Sequence, residues 1–542
     1  MTLFRVIYQM ARADFLERIR RFSFVVTLVI TVIAAYIFVP ETGANYTTLD
    51  LGGHRGVYNS AWVGAQVAML TCVFLTLFGF YLVRNSINRD RQTRVGQIIA
   101  ATPVSKPVYT LGKWLSNFAV LAVIGAIVMA GAVALQLIRG EDTIIKPLYF
   151  LVPFTTLLLP AIGLVSAIAI VFECIPFLSG AFGNIVYFFI FPNMMVGEML
   201  GGPKVLGVSY YIESMQAACR AAFPDYEKVI NFGLNFHGGR TVLPQSFAWD
   251  GIPASLEYLS GRFLWLMIAI GVAMIASVPF NRFATAGRKF RTESTRPPRF
   301  ARLRRIFGAG SAWIAGGAGA GAGSSVTGAH VHLTPLTGKR SHGRFGGILV
   351  ANLRLALRSM PWWWYLGSIA LIVLETAVPM DGVQQIVVPI ALLWPVMIWA
   401  PLGNRELSHA TQQIVFSAAH PLRRQLLAAW LTGVVVALVL VCGAGPRWLI
   451  IGDPHRVLAL IVGAAFIPSL ALALGAWSRT TRLFEVIYLF WWYIGPLNAL
   501  PALDFAGSSK LAGGLGTTVV YMILTTAFLA LGFLGARRQL SS

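Results

Sequence analysis

The chain has 542 residues, of which 56% are hydrophobic and only 12% charged, and its 43 Lys and Arg against 21 Asp and Glu leave a net charge of +22. Uncharged stretches at 22–39, 114–138 and 148–172 have the length a helix needs to cross a hydrocarbon core about 30 Å thick, roughly 20 residues. Such a composition excludes an ordinary soluble enzyme. Because the basic residues cluster in loops that fall on one side of the spans, the charge is assigned to topology and anionic lipid headgroups rather than to nucleic acid.

Residues 1–21 predict an interfacial helix. Phe4, Ile7, Tyr8, Ala11, Phe15 and Ile19 form an apolar stripe at helical spacing, with Arg5, Gln9 and Arg12 away from it. Six spans follow, near 22–40, 61–83, 112–138, 147–172, 181–200 and 259–280. The first reads as a retained span rather than a cleaved leader, because it is too long and follows an acidic, arginine-containing helix. A long outward segment, 201–258, predicts helix at 209–222 and 253–258. Residues 281–343 form a basic, then Gly/Ala-rich linker whose His330, His332 and His342 read as solvated.

A second interfacial helix, 344–360, alternates Phe345, Ile348, Leu355 and Ala356 with Arg344, Arg354 and Arg358. Pro361 and Trp362–Trp364 open the next span at interfacial depth. Six more spans are expected near 361–380, 386–402, 425–445, 456–477, 483–503 and 514–535. The expected fold is therefore an all-α polytopic membrane protein of about 12 transmembrane helices. Its domains are a first six-span half (1–280), the linker (281–343) and a second half (344–542). Six spans return the chain to its starting side, which makes this a parallel repeat.

One polar element occurs in both halves. Residues 89–118 and 405–434 both open with Arg and an acid (Arg89-Asp90, Arg405-Glu406), run into a short apolar helix and break at a proline (Pro103, Pro421). Each resumes with basic residues (Lys106; Arg423, Arg424) before a long span. The fifth spans also match: Asn184-Ile185-Val186-Tyr187 aligns with Glu485-Val486-Ile487-Tyr488, each followed by aromatics.

Cys72, Cys174, Cys219 and Cys442 are far apart in sequence and make neither a disulfide framework nor a zinc spacing. The Gly-Lys pairs in 110–114 and 336–340 lack the spacing of a phosphate-binding loop. No metalloprotease motif and no nucleophile triad is evident. Glu173, Glu198, Glu375 and Glu485 lie near predicted span ends, where headgroup water is expected to reach them. With almost no ionisable residue deep in a span, an external energy source is favoured over ion coupling.

The stretch ATPVSKPVYTLGKWLSNF (101–118) resembles the coupling element of type-2 ATP-binding-cassette (ABC-2) exporter permeases. Arg89, Asp90, Thr102, Pro103, Val104, Ser105, Lys106, Leu111, Gly112 and Lys113 carry the likeness. Gln97 stands where that family often has an acid, and the second copy has His420 in the threonine place and no Gly-Lys. The resemblance implies a permease without catalytic or metal-binding residues and without a cofactor of its own. ATP and Mg would belong to separate cytoplasmic ABC ATPase subunits, two per chain, docked on Arg89, Asp90, Gln97, Thr102, Pro103, Lys106, Arg405, Glu406, Pro421, Arg423 and Arg424. It also implies a bacterial inner membrane, both termini cytoplasmic, and a pathway lined by second and fifth spans. For an apolar or amphipathic substrate the lining residues are Tyr187, Phe189, Phe191, Asn193, Tyr488, Phe490, Trp492 and Asn498. Asn193 and Asn498 also read as partners for carbonyls freed at Pro192 and Pro496. A twelve-span secondary carrier, and a membrane sensor, scaffold or enzyme using the outward segment (Glu213, Asp225, Glu227, His237, Asp250), are the alternatives.

Overall fold

The computed structural model describes all residues except 1–2, 21, 42–43, 45, 227–228, 237–243, 253–254, 281–344, 410, 418–421, 498–499, 501, 508–514 and 542. The linker with its three histidines, together with Glu227, His237, His420, Pro421 and Asn498, lies outside the described residues.

In chain order the first half comprises α1 (Leu3–Ile19), α2 (Phe22–Phe38), strands β1 (Tyr46–Asp50) and β2 (His54–Gly56), α3 (Ser60–Val83), α4 (Ser86–Gln92), α5 (Val95–Ala100) and α6 (Lys106–Arg139). It continues with α7 (Leu148–Pro153), a π-helical turn into α8 (Leu159–Cys174), α9 (Ala181–Met199), α10 (Val208–Ala222), β3 (Asn231–Phe236), β4 (Gln245–Phe247) and α11 (Leu256–Ile275). The second half contains α12 (Phe345–Arg358), α13 (Trp362–Ala377), α14 (Met380–Gly382), α15 (Val388–Leu393), α16 (Val396–Trp399), α17 (Arg405–Ser408) and α18 (Gln412–Phe416). After it come α19 (Leu427–Leu440), α20 (Ala444–Ile451), α21 (Pro454–Ser478), α22 (Arg482–Trp492) and α23 (Leu515–Ser541).

Local chemistry sets the helix ends. The Asn59 side chain accepts from Trp62 N and starts α3, which stays uncharged until Arg84. At α21, Asp453 accepts from Arg456 N and pairs with its guanidinium at 2.8 Å. Pro107 sits in the first turn of α6, where its missing N–H costs nothing. At 34 residues α6 is about 50 Å long, well beyond the hydrocarbon thickness, so its polar first turns extend past the apolar layer.

Eight helical stretches among the described residues are long and apolar enough to cross a membrane, and the chain is membrane-embedded. The four other helices that a count of twelve needs are α2, α9, α13 and α22. Three are short, at 17, 16 and 11 residues, and α9, at 19, carries Pro192 and Glu198. Close approach in the second half depends on glycine: a Cβ on Gly475 would lie 2.8 Å from Gly403 Cα.

Residues 46–58 and the described residues of 206–258 build a cap with β-strands that the helical expectation did not contain. β1 pairs antiparallel with β3, from Tyr46 opposite Phe236 to Asp50 opposite Asn231, and β2 pairs parallel with β4. The helix expected at 209–222 is present as α10, whereas the one expected at 253–258 begins at Leu256 as the start of α11, with Ser255 as its cap. Trp62 at the top of α3 packs edge-on against Phe247 and Trp249. Arg55 grips Glu141 through two hydrogen bonds of 2.9 and 2.7 Å, and Tyr58 N donates to the same carboxylate.

That pair gives the cap a pH dependence. The Arg55 hydrogen bond, helped by Tyr58 N, outweighs burial and lowers the Glu141 pKa. A depressed folded pKa contributes stability that is complete above the unfolded value of about 4.3 and lost as pH falls through the folded one. Amide exchange of Thr47–Gly56 should therefore stay constant from neutral pH to about pH 5, after correction for intrinsic rates, and accelerate below that. Glu141→Gln should remove the acceleration.

Candidate functional site

The site is built at the polar end of the bundle, where three carboxylates hold the repeated element in place. Glu173 ends α8 and is 3% exposed. Its two oxygens accept the backbone N–H groups of Asn85, Ser86, Ile87 and Asn88 at 2.6–3.1 Å, satisfying the open N-terminus of α4. Asn85 has a left-handed backbone (φ 84°) and makes no side-chain cap, so the cap comes from another helix.

Asp14 of α1 is the second hub. It pairs with Arg18 at 3.1 Å, Lys113 at 2.9 Å and Arg89, and accepts from Ser116 Oγ at 2.7 Å. Burial alone would raise its pKa, but Arg18, Lys113, Arg89 and the Ser116 hydroxyl outweigh it and hold the carboxyl well below the usual range. The third, Asp90, bonds Lys113 Nζ at 2.8 Å and accepts from Tyr109 OH at 2.7 Å. Arg89 and Asp90 are thus struts joining α1, α4 and α6, not the exposed contacts expected of a docking surface. What faces outward is the tip beyond them. Val95, Gln97 and Pro103 are exposed, Ile98 is 69% exposed, and Thr102 and Lys106 are half-buried. Thr102 Oγ1 donates to Ile99 O at 2.7 Å and closes the corner.

Among the described residues, the contacts of the second copy are longer. Arg405 Nη1 donates to Asn352 Oδ1 of α12 at 3.4 Å, and Glu406 receives a hydrogen bond from Gln425 Nε2 at 3.5 Å. Asn352 does for Arg405, without charge, what Asp14 does for Arg89. Its tip presents Gln413 and Ile414, the latter 76% exposed, each eight residues after Arg405 and Glu406 respectively, the same spacing that separates Gln97 and Ile98 from Arg89 and Asp90. Arg423 and Arg424 are exposed on the π-helical turn before α19.

Between the two copies lies a cavity of about 830 Å³ lined from both halves, by Asn88, Arg89 and Gln92 on one side and Asn404, Leu407 and Ser408 on the other. Both copies of the repeated element therefore stand at the same end of the bundle. At its floor Asn184 Nδ2 donates to Glu485 across the halves, and Arg482 Nη1 donates to Arg84 O at 3.0 Å. The aligned residues Asn184 and Glu485 meet each other directly.

Farther along the same seam the aromatics of α9 and α22 meet. Phe188 contacts Tyr493 at 5.6 Å, Phe189 contacts Trp492 at 5.9 Å, and Phe490 contacts Phe78 of α3 at 5.9 Å between ring centroids. Phe191 and Phe490 line a second, apolar cavity of about 290 Å³. Tyr187 and Tyr488 turn the other way. Tyr187 stacks on Phe80 at 3.7 Å and donates to Thr76 O; Tyr488 stacks on Phe484 at 5.3 Å and donates to Leu392 O at 2.7 Å. Tyr187 thus ties α9 to α3 and Tyr488 ties α22 to the end of α15, so they are packing residues. Trp492 is buried, with Nε1 donating to Pro389 O at 2.6 Å. Asn193 Nδ2 donates to Phe189 O at 2.7 Å, a backbone role beside Pro192.

The expectation that headgroup water reaches the span-end carboxylates is not met. Glu173, Glu198, Glu375 and Glu485 are 3%, 3%, 0% and 2% exposed. Glu198 accepts from Leu206, Gly207 and Ser209 N, and Glu375 from Gly443 and Ala444 N. Sequence reasoning missed Asp14, Arg84 and Glu173 as organisers; for Arg84 and Glu173 the available signal was a lone charge ending a long uncharged run, whereas Asp14 sits among other charges and gave none. No cluster of three His, Cys, Asp or Glu among the described residues is placed to hold a metal ion. The sequence matches no protein-family model, and no curated protein matches it.

Proposed function

We propose that the chain is the membrane-spanning permease of an ATP-driven exporter of the ABC-2 kind. In this reading it has twelve spans in two parallel six-helix halves, and it sits in a bacterial inner membrane with both termini cytoplasmic. The observation that carries the reading is the convergence of both copies of the repeated element at one end of the bundle. There, each is braced to an interfacial helix and turns an isoleucine, Ile98 or Ile414, into solvent. Two ATPase subunits, one on each tip, would supply ATP and Mg. Their motion would pass through the Arg89–Asp14 and Asp90–Lys113 struts into α1 and α6 on one side, and through Arg405 on the other. The aromatic seam of α9 and α22 is the proposed pathway for an apolar or amphipathic substrate.

The test is reconstitution with a cognate ATPase. The chain alone should hydrolyse no ATP and should stimulate the partner when co-purified with it. Placing a charge at a buried interface anchor costs about 2 kcal/mol or more, roughly 30-fold in affinity. Ile98→Asp and Ile414→Asp should each weaken ATPase binding by that order while leaving the thermal unfolding of the chain unchanged. Unaltered binding in both variants would remove the docking assignment.

One observation favours a second reading. Glu485 is a buried carboxylate at the seam between the halves, the position from which a gradient-coupled carrier would work. Substrate movement that follows a proton gradient, needs no ATPase and disappears in Glu485→Gln would select it.

A further inference from the structure

The large cavity between the halves has an unusual charge inventory. Its lining includes Arg18, Arg84, Arg89, Arg479 and Arg482 against one carboxylate, Glu485. Asp14 engages Arg18 and Arg89, whereas Arg84 and Arg482 have only the nearby carboxylates of Glu485 and Glu173 to offset them, neither at ion-pair distance among the described residues. Arg84 is 5% exposed, and neither arginine makes an ion pair among the described residues. Their hydrogen bonds go to backbone carbonyls: Arg84 Nη2 donates to Leu178 O and Gly180 O, and Arg482 Nη1 to Arg84 O. Arg84 Nη1, Arg482 Nη2 and Arg18 Nε are buried and have no hydrogen-bond partner among the described residues.

Guanidinium groups held away from water without a direct ion pair are costly, and unpartnered donors add to the cost. Planar guanidinium groups grouped around a cavity suit a tetrahedral oxyanion, and α22 opens onto the same cavity with its N-terminal Thr481 and Arg482. The volume, about 830 Å³, is that of a small-molecule site.

The same two helices continue into the apolar cavity. On α9, Asn184 stands at the polar one, while Phe188, Phe191 and Met195 line the apolar one over the next three turns, about 16 Å of helix. On α22, Glu485 is followed by Phe490 in the same way. A headgroup at the arginines would place its chain along these aromatics.

We propose that the seam binds an amphiphile bearing a phosphate group, with the phosphate held by Arg84 and Arg482 and an acyl or prenyl chain lying along α9 and α22. Binding requires no ATPase; that the bound molecule is also the exported cargo rests on the transport reading above.

The experiment uses the purified full-length chain without any ATPase and measures binding by native mass spectrometry. Dioleoyl phosphatidic acid supplies phosphate and tail, glycerol 3-phosphate the phosphate alone, and dioleoylglycerol the tail alone. Phosphatidic acid should bind at least about tenfold more tightly than either fragment, since one charge-assisted contact is worth about 1.5–3 kcal/mol. Arg482→Gln should reduce its affinity by the same factor, and Arg482→Lys by less. Arg358→Gln, an exposed change at the end of α12, should not. Equal binding of glycerol 3-phosphate or of dioleoylglycerol overturns the amphiphile assignment, and so does equal loss in Arg482→Gln and Arg358→Gln. If Arg482→Gln does not fold, the Arg482→Lys comparison and the two fragments still decide. Tight phosphatidic acid binding by a chain that activates no ATPase would end the transport reading and leave this one standing.

Discussion

Glu173→Gln should destabilise the chain by about 2–6 kcal/mol, although the side chain keeps its size and shape. The carboxylate accepts four backbone N–H groups, two on each oxygen. An amide has one oxygen. It leaves two buried donors unsatisfied, each worth about 1–3 kcal/mol, and points its own N–H₂ at them. The expected result is a shift in SDS-induced unfolding followed by tryptophan fluorescence. Loss of α4 order should come first, seen as accelerated amide exchange at Asn85–Asn88. Glu173→Ala should cost more, because it removes both acceptor oxygens and leaves all four backbone donors unsatisfied. A Glu173→Gln protein as stable as the parent would show that water reaches the start of α4.

Asp14→Ala is the second large effect. Removing the carboxylate leaves Arg18, Arg89 and Lys113 packed together, and breaking a buried pair in this way costs about 3–5 kcal/mol. Arg89 keeps Glu17 at 3.0 Å and Lys113 keeps Asp90 at 2.8 Å, so the element loosens rather than unfolds. The expected signature is a loss of stability together with a loss of ATPase stimulation, if the element transmits partner motion. The pH response has a definite sign. Asp14 has a depressed folded pKa, so its contribution is complete above the unfolded value of about 3.9 and is lost only at much more acidic pH. The stability gap between parent and Asp14→Ala should therefore hold steady from pH 8 to pH 5. Asn352→Ala, which removes one neutral partner of Arg405, should cost about 1 kcal/mol, and that contrast measures the asymmetry between the two copies.

Much of the helical framework was legible in the residues. Uncharged runs set α3, α6 and α8, the stripe from Phe4 to Ile19 set α1, and Pro361 marked a helix start. The repeated element was legible as a pattern. Its mechanics were not, because Arg89 and Asp90 look like surface charges in a polar loop, and only the approach of α1 and α6 turns them into struts. The strand-containing cap escaped for a similar reason: its strands are three to six residues long, and their partners lie far away in sequence.

Hydropathy and helical period are local properties, so the sequence by itself determined that this protein lives in a membrane as helices and carries one polar element twice. Tertiary structure decided where every charge ends. Asp14 reaches Lys113 across 99 residues, and Asn184 reaches Glu485 across 301. Whether a carboxylate caps a helix, braces a loop or faces a basic cavity depends on which distant groups arrive beside it. Desolvation makes that arrival energetically large, and no local pattern encodes it.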